Sequence, residues 1–147
     1  MGVLAKFASL PRCERALVVK AVIALVATEA GLRFLPFTTV RRFARHSYAS
    51  RASRMQMPRH SAQKISWAIE SSSRRIPGAM NCLVRALATE YLLGHFGYSA
   101  ELRIGVARTA AGAITAHAWL ESEGAVIIGE FELDRYVVFA VSNAGKA

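Results

Sequence analysis

The sequence predicts an α+β fold in which helices come first and an antiparallel sheet follows. Apolar residues recur at helical spacing up to about residue 95, and the period then changes to two. Size agrees: 147 residues, 53 % of them apolar, with four prolines and ten glycines, describe one globular unit able to bury a core.

Residues 11–35 read as the first helix, with Leu17, Val18, Ala21, Val22, Leu25 and Val26 at helical spacing and Gly31 and Pro36 as stop signals. Its longest apolar run, residues 21–28, lies between Lys20 and Glu29. That is well short of the roughly 18 to 20 residues that cross a bilayer, so a buried helix is expected and no membrane span. With Glu14 ahead of the run and few early positive charges, it does not read as a secretory signal. Residues 41–60 are basic, serine-rich and short of large aliphatics, with Pro58 among them, and read as a loop or a marginal helix.

A second helix starts at Ser61, with Ile65, Ala68 and Ile69 in register, and ends through Ser71, Ser72, Ser73 and Pro77-Gly78. A third covers residues 82–95, with Asn81 as N-cap and Gly94 and Gly97 closing it. Leu102, Ile104 and Val106 then alternate with Glu101, Arg103 and Gly105, the mark of a strand with one buried face. After a turn at residues 109–112, strands are expected over 115–121, 125–130 and 136–141. The expected organisation is a basic helical region, residues 1–80, packed on a core of residues 81–147 as a single compact unit.

Charge divides along the same line. Residues 1–80 carry 14 basic and three acidic side chains, a formal +11, and residues 81–147 carry five and seven, a formal −2. Such asymmetry suits an acidic partner. Two cysteines make neither a disulfide framework nor paired zinc ligands, and a reducing cytoplasm is the expected home. No metal-ligand spacing, phosphate-binding glycine loop or serine elbow is present, so neither metal nor cofactor is expected.

Three features converge on chemistry. Cys82 falls in the first turn of its helix, where unpaired N–H groups and the positive dipole end favour thiolate over thiol and could hold an oxyanion. His117 lies on a strand between Ala116 and Ala118, small residues that leave room for a substrate backbone. If Glu123-Gly124 is a two-residue hairpin turn, His117 faces Glu130 across the strand pair, and that carboxylate would fix the imidazole tautomer. Glu121 shares the face but lies four residues away. Glu132 is a diagonal neighbour, and a longer loop favours Glu132 or Asp134. Cys13 precedes its helix with no nearby histidine and has a structural reading. His46 and His60 flank the basic segment as exposed residues, and His95 ends a helix.

The strings Asn81-Cys82-Leu83-Val84-Arg85-Ala86-Leu87-Ala88, Ala100 to Val106, and Ala116-His117-Ala118-Trp119-Leu120-Glu121 resemble the transglutaminase-like cysteine peptidases of lasso peptide biosynthesis. The nearest likeness is to the stand-alone leader peptidase found where the maturation B protein is split in two. Leu32 to Phe37, Arg41-Arg42 and Arg75 to Gly78 extend the likeness over the whole chain. The resemblance implies a papain/transglutaminase-like core, Cys82 as nucleophile, His117 as general base and an acidic third member. Where the family often shows aspartate, this sequence offers Glu130 first and Asp134 later. It also implies hydrolysis of the leader–core bond of a ribosomally made precursor peptide through a thioester. The implied partners are that precursor, a separate leader-recognition protein and an ATP-dependent cyclase. Acyl transfer to an amine shares the same nucleophile and base. A non-catalytic basic module for nucleic acid or membrane would rest on the +11 half alone, without a recognisable nucleic-acid motif.

Overall fold

The computed structural model describes residues 2–52, 60–76 and 81–139. Among them the helices are α1 (Val3–Ser9), α2 (Arg12–Phe34), α3 (Phe37–Ala52), α4 (Ala62–Ser73) and α5 (Cys82–His95). The strands are β1 (Glu101–Arg108), β2 (Ile114–Ser122), β3 (Ala125–Ile128) and β4 (Val137–Phe139), with a 3-10 turn at Leu133–Arg135 before the last. This is the expected α+β arrangement. Neither α1 nor the 3-10 turn was legible as an element, because each is too short to show a period.

α5 is the central helix. Val84, Leu87, Leu92 and Leu93 are fully buried, and α5 packs against α2, α3 and α4 as well as the sheet. Its start is set as the sequence predicts: Asn81 Oδ1 accepts the backbone N–H of Val84 at 2.9 Å. α2 contributes Leu17, Ala21, Ala24 and Leu25 to one core cluster, which also takes in Ile65 and Ile69 of α4 and Leu102, Ala118, Leu120 and Ile128 of the sheet.

Of the two readings for residues 41–60, the helix holds over the first part and the loop is corrected there: α3 runs from Phe37 through to Ala52, and residues 53–59 lie outside the described ones. Two small anchors explain it. Val40 and Ala44, one turn apart, are buried, and Val40 sits over Gly31, where an added Cβ would lie 3.3 Å from its Cγ2. Packing of α3 on α5 outweighs a composition poor in helix formers. Pro58 and the Pro77-Gly78 stop lie outside the described residues. α4 begins as expected, with Ser61 Oγ accepting the N–H of Lys64 at 3.2 Å.

The sheet is antiparallel throughout, in the order β3-β2-β1-β4. The β2–β3 turn is the expected one: Glu123 and Gly124 have φ of 52° and 79°, both left-handed as a tight hairpin requires, and Ser122 faces Ala125. One step further the register changes. Glu121 pairs with Val126 but Leu120 pairs with Ile128, so Ile127 is an extra residue, a β-bulge. β3 then stops at Ile128, short of the expected residue 130, because Gly129 turns the backbone away with φ of +86°.

Candidate active site

The bulge decides what His117 meets. Expected opposite Glu130, the imidazole instead hydrogen-bonds the backbone of Gly129: Nε2 lies 2.6 Å from the Gly129 carbonyl oxygen. A carbonyl oxygen only accepts, so Nε2 carries the proton and donates it. In the neutral ring that leaves Nδ1 as the unprotonated nitrogen, the one able to take a proton from a thiol.

The ring is further fixed by aromatic neighbours. Its centroid is 6.1 Å from that of Trp119 and 5.4 Å from that of Tyr136. Two glycines make room for this packing. A Cβ on Gly105, which pairs with His117, would come within 2.8 Å of Tyr136 Cβ, and one on Gly129 within 2.8 Å of Trp119 Cβ. Trp119 is almost fully buried, and its indole N–H donates to Glu121 Oε1 at 3.0 Å. Glu121 Oε2 accepts from Arg103 Nε at 3.3 Å, and Arg103 also pairs with Glu101 at 2.8 Å. His117, Trp119 and Glu121 thus share one pleat of β2, while Ala118 and Leu120 enter the core on the other. An open hollow of about 350 Å³ lies at the far end of this face, lined in part by Glu101, Arg103 and Glu121, and reaches neither His117 nor Cys82.

Cys82 is the first residue of α5, half-buried against the core, and the helix it begins packs on β2. With Val84 N–H taken by Asn81, the N–H groups of Cys82 and Leu83 have no partner among the described residues. They form an open end of the kind that receives negative oxygen. Among the described residues no hydrogen bond joins Cys82 to His117, and neither a hydrogen bond nor an ion pair joins His117 to Glu130. Glu130 is exposed just past Gly129, Glu132 is exposed and paired with Arg135, and Asp134 is exposed on the 3-10 turn. His46 is exposed as expected, whereas His60 is half-buried, its ring edge-on to Phe96; Cys13, within the first turn of α2, is exposed.

The sequence reading missed Gly129, Tyr136 and Glu90. For Gly129 a signal existed: a lone glycine ending an otherwise continuous strand pattern marks a bulge or a close backbone approach. For Glu90 the signal was its place on the apolar stripe of its helix, three residues after Leu87 and three before Leu93. It is buried on α5 with neither carboxylate oxygen hydrogen-bonded, and burial pushes its pKa up to about 7 against the opposing pull of Arg41 and Arg45 on α3.

Helices followed by a four-stranded antiparallel sheet, with the central helix packed on that sheet, are consistent with a transglutaminase-like core. The chain belongs to the transglutaminase-like superfamily, whose family model matches residues 22–141. Comparison with curated proteins and with solved structures returns no significant match. Members of this superfamily are usually catalytic, as cysteine peptidases or acyltransferases. Among the described residues no helix is long and apolar enough to cross a membrane.

Proposed function

We propose that the chain is a cysteine peptidase that cuts the leader from the core of a lasso-type precursor peptide, with Cys82 as nucleophile and His117 as base. The observation that carries this is the Nε2–H bond from His117 to the Gly129 carbonyl, which commits Nδ1 to the role of proton acceptor. The resemblance of the Cys82 and His117 strings supports the substrate class. In this reading Nδ1 takes the thiol proton as Cys82 Sγ attacks the scissile carbonyl. The N–H groups of Cys82 and Leu83 receive the oxyanion. The imidazolium then protonates the leaving amine, a thioester remains, and Nδ1 activates the water that hydrolyses it. Cys82 and His117 must close on each other as substrate binds, as catalytic hydrogen bonds commonly do.

The Gly129 carbonyl takes the orienting role of the third member, and Glu130 is its direct competitor. A separate leader-recognition protein would deliver the precursor, an ATP-dependent cyclase would take the freed core, and the thiols suit a reducing cytoplasm. The test is incubation with the precursor, with and without the leader-binding protein, followed by mass spectrometry. Cleavage is expected at one bond, and Cys82→Ala and His117→Ala should each abolish it while keeping the circular dichroism of the parent. Cutting by Cys82→Ala would sink the mechanism. A product bearing a new amide in place of a free carboxylate would move the reading to acyl transfer, which uses the same two residues.

A further inference from the structure

α2 is apolar on two sides, and only one is covered. The inner side, Leu17, Ala21, Ala24, Leu25 and Thr28, is buried in the core. The outer side runs Ala16, Val19, Ile23, Val26 and Ala30, all exposed, with Val22 beside them; Ile23 is 62 % and Val26 50 % open to solvent. Steps of three and four alternate along the outer line without a break, which is the spacing of a coiled-coil seam. A helix with apolar residues on both sides is normally covered on both.

The ends of the seam say what covers it. Arg12 lies four residues before Ala16 and Arg33 three after Ala30, so each continues the line, and both are exposed. The acidic residues of α2 are occupied: Glu14 is paired with Lys64 at 2.6 Å, and Glu29 takes the Nε of Arg33 at 3.1 Å, leaving that guanidinium largely open. A second copy of the chain would set arginine against arginine at both ends in either orientation. An interfacial membrane helix flanks its apolar stripe with cations along its length and anchors it with leucine and aromatic residues. Here the line holds valine, isoleucine and alanine with an arginine in the line at each end; exposed Lys20 stands beside it, and exposed Phe34 and Leu35 come only past the line's last turn.

We propose that the outer seam of α2 docks one amphipathic helix of another protein, three heptads or so long, with an aliphatic 3–4 seam and a carboxylate at each end. The spacing fixes the helix pairing and the two arginines fix the charge at its ends. This stands independently of the thiol chemistry.

The test uses the full chain and a labelled synthetic helix of about 21 residues, with leucine and valine on a 3–4 seam and glutamate at both ends. The control peptide carries lysine there instead. By fluorescence anisotropy the glutamate-ended helix should bind about tenfold tighter than the control. Ile23→Glu should remove binding, and Arg12→Glu combined with Arg33→Glu should invert the preference. Because Ile23 is exposed, Ile23→Glu should unfold at the same temperature as the parent, which separates lost docking from lost fold. Equal binding of the two peptides overturns the proposal. So does self-association of the chain, or binding to vesicles of phosphatidylcholine and phosphatidylglycerol, that Ile23→Glu abolishes while the peptides show no preference.

Discussion

On the sheet face around His117, the polar groups are partnered: the imidazole on the Gly129 carbonyl, the indole of Trp119 on Glu121, and Arg103 shared between Glu121 and Glu101. Between α3 and α5 the opposite holds, with both oxygens of buried Glu90 and the buried Nε of Arg41 unbonded. Among the described residues, every buried side-chain polar atom without a partner lies on a helix: Arg15, Arg41, Ser72, Arg85 and Glu90. The difference teaches where the molecule is preorganised. Partnered groups hold one rotamer, as a base that must meet a thiol in one geometry requires. Unpartnered buried groups weaken the helical layer, and a buried carboxyl does so in a way that depends on pH.

The strongest way to break this contrast is to disturb the carbonyl that holds His117. Gly129→Ala puts a side chain on a backbone with φ of +86° and a Cβ within 2.9 Å of the Ala118 carbonyl oxygen and 2.8 Å of Trp119 Cβ. The strained backbone should cost about 1–3 kcal/mol of stability, read from urea unfolding. The displaced carbonyl should lower the cleavage rate by about two orders of magnitude, read from single-turnover cleavage below the unfolding range. Glu130→Gln is the companion variant. If it lowers the rate as far while Gly129→Ala does not, the orienting group is the carboxylate.

Glu90 sharpens the other side. A carboxyl whose pKa rises from 4.5 unfolded to about 7 folded holds its proton more tightly in the native state. Stability is therefore fully present below about pH 4.5, declines as pH rises through 7, and levels off above it. The fall amounts to about 3 kcal/mol at 1.36 kcal/mol per pH unit. Glu90→Gln should flatten this slope and leave the variant more stable than the parent at pH 8, as measured by denaturant unfolding across pH 5–8. An unchanged slope would mean that Arg41 and Arg45 hold Glu90 ionised in the native state.

How much of this was legible in the sequence follows from range of interaction. The helix start at Cys82, the Asn81 cap and the Glu123-Gly124 turn are set by neighbours within four residues, and the sequence reading placed each of them. The α2 and α5 periods were visible because each helix buries a continuous stripe. The partner of His117 was not legible, since the bulge at Ile127 and the end of β3 before Gly129 break the register that would set Glu130 opposite it. α3 was underread because its support comes from Gly31 and α5, distant in the chain. Glu90 falls within the helical pattern of α5, but the missing partner for its buried carboxylate depends on how α3 packs over it, which α5's own period does not show.

The smallest expected effect tests whether the polar chain beyond His117 acts as one network. Glu121 accepts the Trp119 indole at 3.0 Å with one oxygen and Arg103 at 3.3 Å with the other. Arg103 is 39 % exposed, so solvent screens the charge, and Glu121→Gln keeps an acceptor for the indole. That variant should lose less than about 1 kcal/mol, with the loss shrinking as salt rises. Glu121→Leu removes the acceptor as well and leaves the N–H of a tryptophan 3 % exposed without a partner. It should lose about 1–3 kcal/mol, of which only the ion-pair share shrinks as salt rises. The gap between the two variants isolates the indole bond from the ion pair. If both lose the same amount, the face around Trp119 is held by packing against Tyr136 and the two glycines, and the hydrogen bonds follow from it.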